Sequence, residues 1–292
     1  MTPIVQARTT VVPAGELVRK ISAFLSDHGC EQGGPWAAEV VAHVLGLKRL
    51  ELLARPDTPV LPHHQRPVQD MVRRLAGGEP LQYVLGICEF MGLRLHVDPR
   101  AFIPRPETEI LVDVALQYLP DKARCRVADA GTGSGCIAVA LASRRANLSV
   151  QATDRSPAAL SLARENSEHH GAAGRISFRR ANFLSGVVPG SLDAVISNPP
   201  YVPTAEYLRL PKQIRSHEPR QALDGGPDGL GPTRRLIRQA RHAIRSGGLL
   251  LIEIDCRRTA EVTNIMGRYG FRDLFVVKDL AGRDRVLGGR KV

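Results

Sequence analysis

From Ile110 onward, apolar runs typical of buried strands alternate with segments whose apolar residues recur at helical spacing. The predicted order is helix 110–119, strand 126–129, helix 136–143, strand 148–153, helix 157–167, strands around 176–178 and 193–196, helix 233–244, strand 249–254, helix 260–269, and strands around 274–277 and 285–287. This alternation is typical of a mostly parallel sheet with helices on both faces. The sequence therefore predicts an α/β fold for residues 106–292.

The N-terminal residues have a different pattern. Successive runs at helical spacing contain Leu17, Val18, Ile21, Phe24 and Leu25, then Val40, Val41, Val44 and Leu45, then Val68, Met71, Val72 and Leu75, and they are separated by Gly33-Gly34-Pro35, Pro56 and residues 59–62. This pattern predicts a small helical domain over residues 1–78. Residues 79–105 carry short apolar groups such as Tyr83-Val84-Leu85, interrupted by glycine and proline, which favours a hairpin and an extended linker.

The composition narrows the possible partners. A formal net charge of +11 favours acidic surfaces, but the basic residues are spread along the chain and only 4% of residues are aromatic, which argues against a groove for stacked bases. The five cysteines and nine histidines lack the spacing of metal ligands, so we expect reduced thiols and no metal.

No segment resembles a membrane span, and residues 1–8 lack the apolar core of a signal peptide. We expect a cytoplasmic monomer with no stable nucleic-acid partner.

A glycine-rich segment, Gly131-Thr132-Gly133-Ser134-Gly135, lies between the predicted strand 126–129 and the helix 136–143. Glycine permits positive φ and close approach of a ligand, and open α/β sheets bind ligands at the carboxyl ends of their strands. Asp154 follows about 20 residues later, at the end of the next predicted strand, where a carboxylate can accept both ribose hydroxyl protons. The spacing lacks the third glycine of the dinucleotide fingerprint, and Asp129 disfavours a pyrophosphate, so a net cationic adenosyl ligand fits better. Two alternatives are a tight turn without a ligand and an Asp154 that caps the helix beginning near residue 157.

The second motif is Asn198-Pro199-Pro200-Tyr201, which follows the predicted strand 193–196. Two prolines make a stiff loop without backbone N–H donors. The side-chain oxygen of Asn198 and the carbonyl of Pro199 could each accept one proton of a planar NH2 group, and Tyr201 could stack on its face. The loop resembles the N-P-P-Y loop of S-adenosylmethionine-dependent methyltransferases that act on amide or exocyclic amino nitrogens. The alternative is a proline-stiffened turn with a surface tyrosine.

Three further runs are informative: Gly78 to Gly86, Ile103-Pro104-Arg105-Pro106-Glu107-Thr108-Glu109, and Glu218-Pro219-Arg220-Gln221-Ala222-Leu223. In these runs the chain is similar to the protein-(glutamine-N5) methyltransferases of bacterial peptide chain release factors, the PrmC or HemK family. The resemblance implies a Rossmann-like class I methyltransferase domain with a small N-terminal helical domain, S-adenosyl-L-methionine as cofactor, and release factors as protein substrate.

The resemblance also implies roles for individual residues. It implies cofactor contacts by Gly131, Thr132, Gly133, Ser134, Gly135, Asp154, Asn182, Phe183 and Asn198; substrate contacts by Asn198, Pro199, Pro200, Tyr201, Arg105 and Glu107; and catalysis by Asn198, Pro199 and Tyr201. For Arg105 and Glu107, an ion network or helix cap in the linker is an equally good interpretation.

This chain departs from the family pattern at several positions. Asn182 stands where an Asp is usual, which predicts a weaker cofactor affinity, and Phe183 stands where Trp is frequent. The stretch after Glu253 lacks the usual glycine and glutamine. Two other functions stay open at this stage. One is methylation of a ribosomal-protein glutamine or of an adenine amine in nucleic acid, and the other is S-adenosylmethionine binding without catalysis.

Overall fold

The computed structural model describes residues 10–292, so the prediction made for residues 1–8 lies outside the described residues. The described chain divides into two compact units. The first contains residues 10–86 and Lys212–His217, and the second contains Ile87–Pro211 and Glu218–Val292. Residues 79–105 are therefore divided between the units, with the boundary after Gly86.

The first unit is mainly helical. Its elements before Gly86 are β1 Val12–Pro13, α1 Ala14–Asp27, α2 Gly33–Leu45, α3 Arg49–Ala54, β2 Pro59–Val60, α4 Pro62–Ala76 and α5 Leu81–Leu85. In α1, Leu17, Ile21 and Leu25 recur every fourth residue and are all buried, as one stripe of an amphipathic helix requires. Gly33-Gly34-Pro35, which were predicted to separate two helical runs, form the first turn of α2. Proline is tolerated there because a backbone N–H in the first turn has no partner within the helix.

Helix α5 contradicts the extended structure predicted for Tyr83-Val84-Leu85. Pro80 caps its N-terminus in an extended conformation, and Gly86 ends it with a φ of 72°. The guanidinium of Arg74 donates to the carbonyls of Tyr83 and Val84, which are among the last carbonyls of the helix and lack helical partners. The short apolar run therefore forms one helical turn with Tyr83 and Val84 buried.

The second unit is built around a seven-stranded sheet. The elements after Gly86 are β3 Ile87–Phe90, β4 Leu93–His96, α6 Pro106–Tyr118, β5 Cys125–Ala130, α7 Cys136–Arg144, β6 Leu148–Asp154, α8 Pro157–His169, β7 Ile176–Arg180, β8 Leu192–Ser197, α9 Thr204–Tyr207, α10 Lys212–His217, α11 Gly231–Ala243, β9 Ile244–Glu253, α12 Thr259–Arg268, β10 Phe271–Lys278 and β11 Asp284–Lys291, of which α10 belongs to the first unit. β3 and β4 form a separate antiparallel hairpin.

The strand order of the sheet is β10-β11-β9-β8-β5-β6-β7. Strands β5 to β9 pair in parallel, whereas β11 is antiparallel to both β9 and β10. In β8 and β9, alternate side chains enter different cores, with Ile196 and Leu251 on one face and Val195 and Leu250 on the other. Strands covered on both faces need apolar residues at every position, which explains the continuous apolar runs in the sequence.

From the central strand β5 the chain runs to β6 and β7 on one side, and the strands from β8 onward lie on the other side of β5. Such a switch of direction opens a crevice at the carboxyl ends of the strands. Within residues 10–292, no helix is long and apolar enough to cross a membrane, and no cluster of His, Cys, Asp or Glu could hold a metal ion.

Candidate active site

A cavity of about 200 Å³ opens in the second unit at the carboxyl ends of β5, β6 and β8. Its lining includes these residues predicted from sequence: Gly131, Thr132, Gly133, Ser134, Asp154, Asn182, Phe183, Asn198, Pro199, Pro200 and Tyr201. Three further predicted residues, Gly135, Arg105 and Glu107, are not part of the lining that the described residues form. The structure therefore brings the glycine-rich segment and the N-P-P-Y loop to one cavity.

The three glycines of the first motif all have positive φ, at 81°, 55° and 83° for Gly131, Gly133 and Gly135. A Cβ on Gly131 would lie 3.5 Å from the ring of Phe183, and one on Gly135 would lie 2.9 Å from Cβ of Ala163 in α8. A Cβ on Gly133 would meet no described atom within 4 Å. Gly135 therefore allows helix packing, whereas Gly131 and Gly133 leave space along the cavity wall.

Asp154 holds this turn through both carboxylate oxygens. Oδ2 accepts the N–H of Gly133 at 3.0 Å, and Oδ1 accepts the N–H of Ser156 at 2.8 Å. Ser156, not Asp154, caps α8, because its hydroxyl accepts the N–H of Ala159 at 3.2 Å. Each Asp154 oxygen has a second lone pair, so the carboxylate can still accept hydrogen bonds from a ligand in the cavity.

Asp129 lies behind the same turn and is fully buried. Its Oδ2 accepts hydrogen bonds from the Thr132 hydroxyl and from the N–H of Ala138, while Oδ1 has no partner among the described residues. Burial raises the pKa of this carboxyl to about 7. The hydroxyl oxygen of Ser134, on the cavity wall, is also buried without a partner in the described part of the chain. A hydrogen-bonding ligand in the cavity could compensate Ser134, and a cationic one would favour the ionised form of Asp129, which lies behind the wall and is not part of the lining that the described residues form.

Phe183 adopts a positive φ of 54°, which is uncommon for a bulky residue. The residue is 9% exposed, and its ring lies beside Gly131. The chain is fixed on both sides of it, because the N–H of Ala181 donates to the carbonyl of Asp154 and the N–H of Leu184 donates to Gln239. The surrounding contacts thus hold a strained backbone that places the Phe183 ring at the cavity wall.

The N-P-P-Y loop is fixed by side chains from α6 and β9. Nδ2 of Asn198 donates to Oγ1 of Thr108 at 3.1 Å, and Thr108 donates to Oε2 of Glu253 at 2.7 Å. The phenol of Tyr201 donates to Oε1 of Glu253 at 3.3 Å. The amide nitrogen of Asn198 is therefore engaged, and its oxygen is the group that can accept protons from a ligand.

Burial determines the charge behaviour of this network. Glu253 is 2% exposed, and burial raises the pKa of its carboxyl to about 7. Burial also raises the pKa of the Tyr201 phenol, and the neighbouring Glu253 adds to that effect. The phenol therefore stays protonated at neutral pH and can act as the donor to Glu253.

Arg105 and Glu107 are placed differently from the N-P-P-Y residues. Arg105 forms an ion pair of 2.5 Å with Glu218, whose carboxylate is 1% exposed and also accepts the N–H of Ile103. The guanidinium lies 4.5 Å from the ring centre of Phe102, which lines the cavity. Glu107 lies in the first turn of α6, where a carboxylate is favoured by the helix dipole. The pair of Arg105 with Glu218 is an ion pair of the kind that the alternative interpretation proposed, whereas no side chain caps the N-terminus of α6 by a hydrogen bond among the described residues.

Four residues of the site were not predicted from the sequence to have a role: Thr108 and Glu253 of the hydrogen-bond network, and the lining residues Phe102 and Leu223. Thr108 and Glu253 are 145 residues apart, so no local pattern joins them. Thr108 does lie inside the Ile103 to Glu109 motif, and its position between two carboxylates was the available signal.

The chain is similar to known proteins over most of its length. Residues 16–86 match the family model of the PrmC N-terminal domain, and residues 108–215 match that of the Methyltransferase small domain. A release factor glutamine methyltransferase of Geobacter sulfurreducens is 39% identical over 267 residues, which cover 91% of this chain and 93% of the relative. That of Moorella thermoacetica is 41% identical over 272 residues, covering 93% and 94%. The chain belongs to the release factor glutamine methyltransferase family.

Membership in the release factor glutamine methyltransferase family confirms the predicted enzyme class, an S-adenosyl-L-methionine-dependent methyltransferase. A methyltransferase from Pyrococcus furiosus has the same kind of fold, with a TM-score of 0.52 and 19% identity over 68% of this chain and 89% of that structure. The fold prediction, a Rossmann-like class I domain preceded by a small helical domain, is therefore also confirmed.

Proposed function

We propose that this enzyme methylates the side-chain amide nitrogen of the glutamine in the Gly-Gly-Gln loop of peptide chain release factors. One observation carries the proposal. Asn198 turns its amide nitrogen toward Thr108, which leaves its oxygen to accept from a ligand, and Pro199 lies beside it in the cavity lining with a carbonyl that could accept a second proton. A primary amide has two protons to donate and matches that pair.

The cavity residues fit S-adenosyl-L-methionine. When bound, this cofactor supplies the electrophilic methyl group. Asp154 would accept the ribose hydroxyls, Phe183 and Asn182 would hold the adenine, and Gly131 to Ser134 would form the wall beside the methionine portion, with Gly135 packed behind it against α8. The buried Ser134 hydroxyl on the cavity wall fits a hydrogen-bonding ligand, and the Asp129 carboxyl behind that wall favours a cationic ligand over a pyrophosphate.

The protein contributes to methyl transfer chiefly by orientation. An amide nitrogen is a poor nucleophile because its lone pair is delocalised. Hydrogen bonds from both of its protons to Asn198 and Pro199 polarise the nitrogen and fix its direction of attack, and rigid acceptors avoid the cost of reorganisation. Pro200 stiffens the loop, and Tyr201 offers its ring to the face of the amide.

Arg105 and Glu107 enter the proposal indirectly. The ion pair of Arg105 with Glu218 joins residues 101–105 to the segment after residue 218, and both segments contribute to the cavity lining. We propose that Arg105 and Glu107 support substrate binding by holding this wall and the start of α6. We further propose that the enzyme acts in the cytoplasm, where release factors act, as a monomer and without a stable nucleic-acid partner.

The test is transfer of a labelled methyl group from S-adenosyl-L-methionine to purified release factor. We expect one labelled glutamine in the Gly-Gly-Gln loop and no label when that glutamine is replaced by alanine. Ribosomes and total RNA serve as competing substrates in parallel reactions. Label in a ribosomal protein or in nucleic acid, with none in the release factor, would overturn the proposal.

A further inference from the structure

Both polar side chains of the N-P-P-Y loop are connected to a single buried carboxylate. Glu253, at the end of β9, accepts from the Tyr201 phenol with one oxygen and from the Thr108 hydroxyl with the other. Thr108, which is 2% exposed in the first turn of α6, accepts in turn from Asn198. Three elements far apart in sequence thus meet behind the residue that offers an acceptor to the substrate.

The chemistry of these groups gives the network a direction. An ionised carboxylate only accepts hydrogen bonds, so the single hydroxyl proton of Thr108 must go to Glu253. The Thr108 oxygen can then only accept, and it selects the NH2 end of the Asn198 amide. The carbonyl end of Asn198 is left to accept protons from a ligand.

We propose that Glu253, acting through Thr108, is a positioning residue that determines which end of the Asn198 amide is presented to the substrate. The inference rests on the proposed function, because it assumes that Asn198 must accept a proton of the target amide. If Glu253 donates a proton to Thr108, the hydroxyl proton of Thr108 turns to Asn198, and the amide rotates so that its NH2 group opposes the NH2 of the substrate. Two donors then face each other, and the substrate nitrogen is not oriented.

The groups around Glu253 determine when this reversal occurs. Arg285 on β11 favours the charged carboxylate, Glu107 on α6 opposes it, and the Tyr201 phenol stabilises it by a hydrogen bond. Burial outweighs these effects and brings the pKa to about 7. Above neutral pH, Glu253 is therefore ionised, Thr108 donates to it, and Asn198 presents its oxygen to the substrate. We expect kcat to rise with pH through about 7.

The decisive experiment exchanges the two functional groups. In Glu253→Gln, the side-chain oxygen can accept from Tyr201, and the remaining NH2 donates to Thr108, so the network is reversed. In Asn198→Asp, a carboxylate faces a Thr108 oxygen whose proton is already used. In the double variant, Thr108 donates to the carboxylate introduced at position 198, whose other oxygen again accepts from the substrate.

We expect each single variant to lower kcat for release factor by roughly 100-fold, as when one preorganised hydrogen bond is removed. The kcat of the double variant should be at least about 10-fold higher than that of Glu253→Gln. If the two losses were independent, the kcat of the double variant would instead be lower than that of either single variant. Glu261→Gln, an exposed glutamate on α12, is the matched control and should keep wild-type kcat. Melting temperature and S-adenosyl-L-methionine affinity, measured for every variant, separate positioning from unfolding.

Thr108 gives a second and milder test. Thr108→Ser keeps the hydroxyl and should stay within a few-fold of the wild-type kcat, whereas Thr108→Val should lose roughly 100-fold with the cofactor affinity retained. Thr263→Val, a partly buried threonine on α12, controls for the loss of a hydroxyl. If serine and valine at position 108 lose activity equally, or if the folded double variant is no better than the product of its single variants, the positioning role is wrong. A wild-type enzyme that fails to label release factor would instead refute the proposed function, and the two failures are therefore distinct.

Discussion

Asn198 shows how a single side chain acquires a defined polarity. An amide can turn either end toward a ligand, and here the hydrogen bond of its nitrogen to Thr108 selects the oxygen. The contribution of Asn198 to catalysis should therefore exceed its contribution to binding, because a fixed acceptor acts most strongly when the substrate proton becomes acidic.

We predict that Asn198→Ala lowers kcat by roughly 100-fold or more, the loss typical of one preorganised transition-state hydrogen bond. The affinity for S-adenosyl-L-methionine should fall much less, because Asp154, Phe183 and the glycine turn remain. Steady-state kinetics with release factor and calorimetric titration of the cofactor measure the two effects. A variant that keeps wild-type turnover would exclude the role proposed for Asn198.

Two glycines of the cofactor turn, Gly133 and Gly135, should differ in how much an alanine at each position destabilises the protein. Gly133 and Gly135 both have positive φ, but only Gly135 would bring a Cβ against the backbone and side chain of Ala163. We predict that Gly135→Ala lowers the free energy of unfolding by roughly 3 kcal/mol, from the positive φ and the steric conflict together. Gly133→Ala should cost about 1 kcal/mol, from φ alone.

Chemical denaturation of both variants tests this difference, with Gly174→Ala as the control. Gly174 has ordinary φ, and its Cβ would meet no described atom within 4 Å. Gly133→Ala should in addition weaken cofactor binding, since its methyl group would project beside the turn held by Asp154. Equal destabilisation by the alanines at 133 and 135 would contradict the packing role of Gly135.

At the scale of elements, the sheet could be predicted because its strands are buried on both faces and are therefore continuously apolar. The two functional loops were also recognisable, since glycine and proline have local backbone effects that are visible in the sequence. Helix α5 was mistaken for extended structure because Tyr83-Val84-Leu85 is short and apolar, and its helical form depends on carbonyl contacts from Arg74 in α4. Thr108 and Glu253 could not be paired, because their contact exists only after β9 and α6 are assembled.

The stretch after Glu253, which departs from the family pattern, also has a structural partner. Arg257 forms ion pairs with Asp255 and with Glu206 of α9. α9 follows the N-P-P-Y loop, so the altered residues connect the end of β9 to the segment just beyond that loop. Because the Arg257 side chain is exposed, these ion pairs contribute little to the free energy of unfolding. Their effect is to hold the segment after β9 beside α9.

The pair of Arg105 with Glu218 is the strongest candidate for an ion pair that holds two segments together. Removing the guanidinium leaves a carboxylate that is 1% exposed with only the N–H of Ile103 as partner among the described residues. We predict that Arg105→Ala lowers the free energy of unfolding by roughly 2–3 kcal/mol, somewhat less than for a fully buried pair because Arg105 is itself 32% exposed.

The double variant Arg105→Ala with Glu218→Gln should recover part of that loss, because no uncompensated charge remains buried. Arg105→Ala should also raise the KM for release factor if the wall formed by residues 101–105 supports the substrate. Denaturant titration and steady-state kinetics give both values. If the loss of stability in Arg105→Ala is unchanged when Glu218→Gln is added, the buried charge of Glu218 is not its cause.

At the scale of the whole molecule, the site lowers the stability of the protein. Asp129 and Glu253 are buried carboxyls whose pKa values lie at about 7, above the ordinary values of 3.8 and 4.5. The folded state therefore holds more protons than the unfolded state between the ordinary and the raised pKa. Stability from these groups is complete below their ordinary pKa and is lost as pH rises through about 7.

We predict that the free energy of unfolding of the ligand-free enzyme falls between pH 5 and pH 8 by an amount on the order of a few kcal/mol, since one pKa unit is about 1.4 kcal/mol. Asp129→Asn should flatten this slope and be more stable than the wild type at pH 8, because it removes a buried charge. S-adenosyl-L-methionine should flatten it as well, since a cationic ligand near Asp129 favours the ionised carboxyl. Denaturant titrations at several pH values, with and without cofactor, measure these slopes. If neither Asp129→Asn nor the cofactor changes the slope of the unfolding free energy against pH, Asp129 is already ionised in the free enzyme. The buried carboxylate would then have to be stabilised by another group.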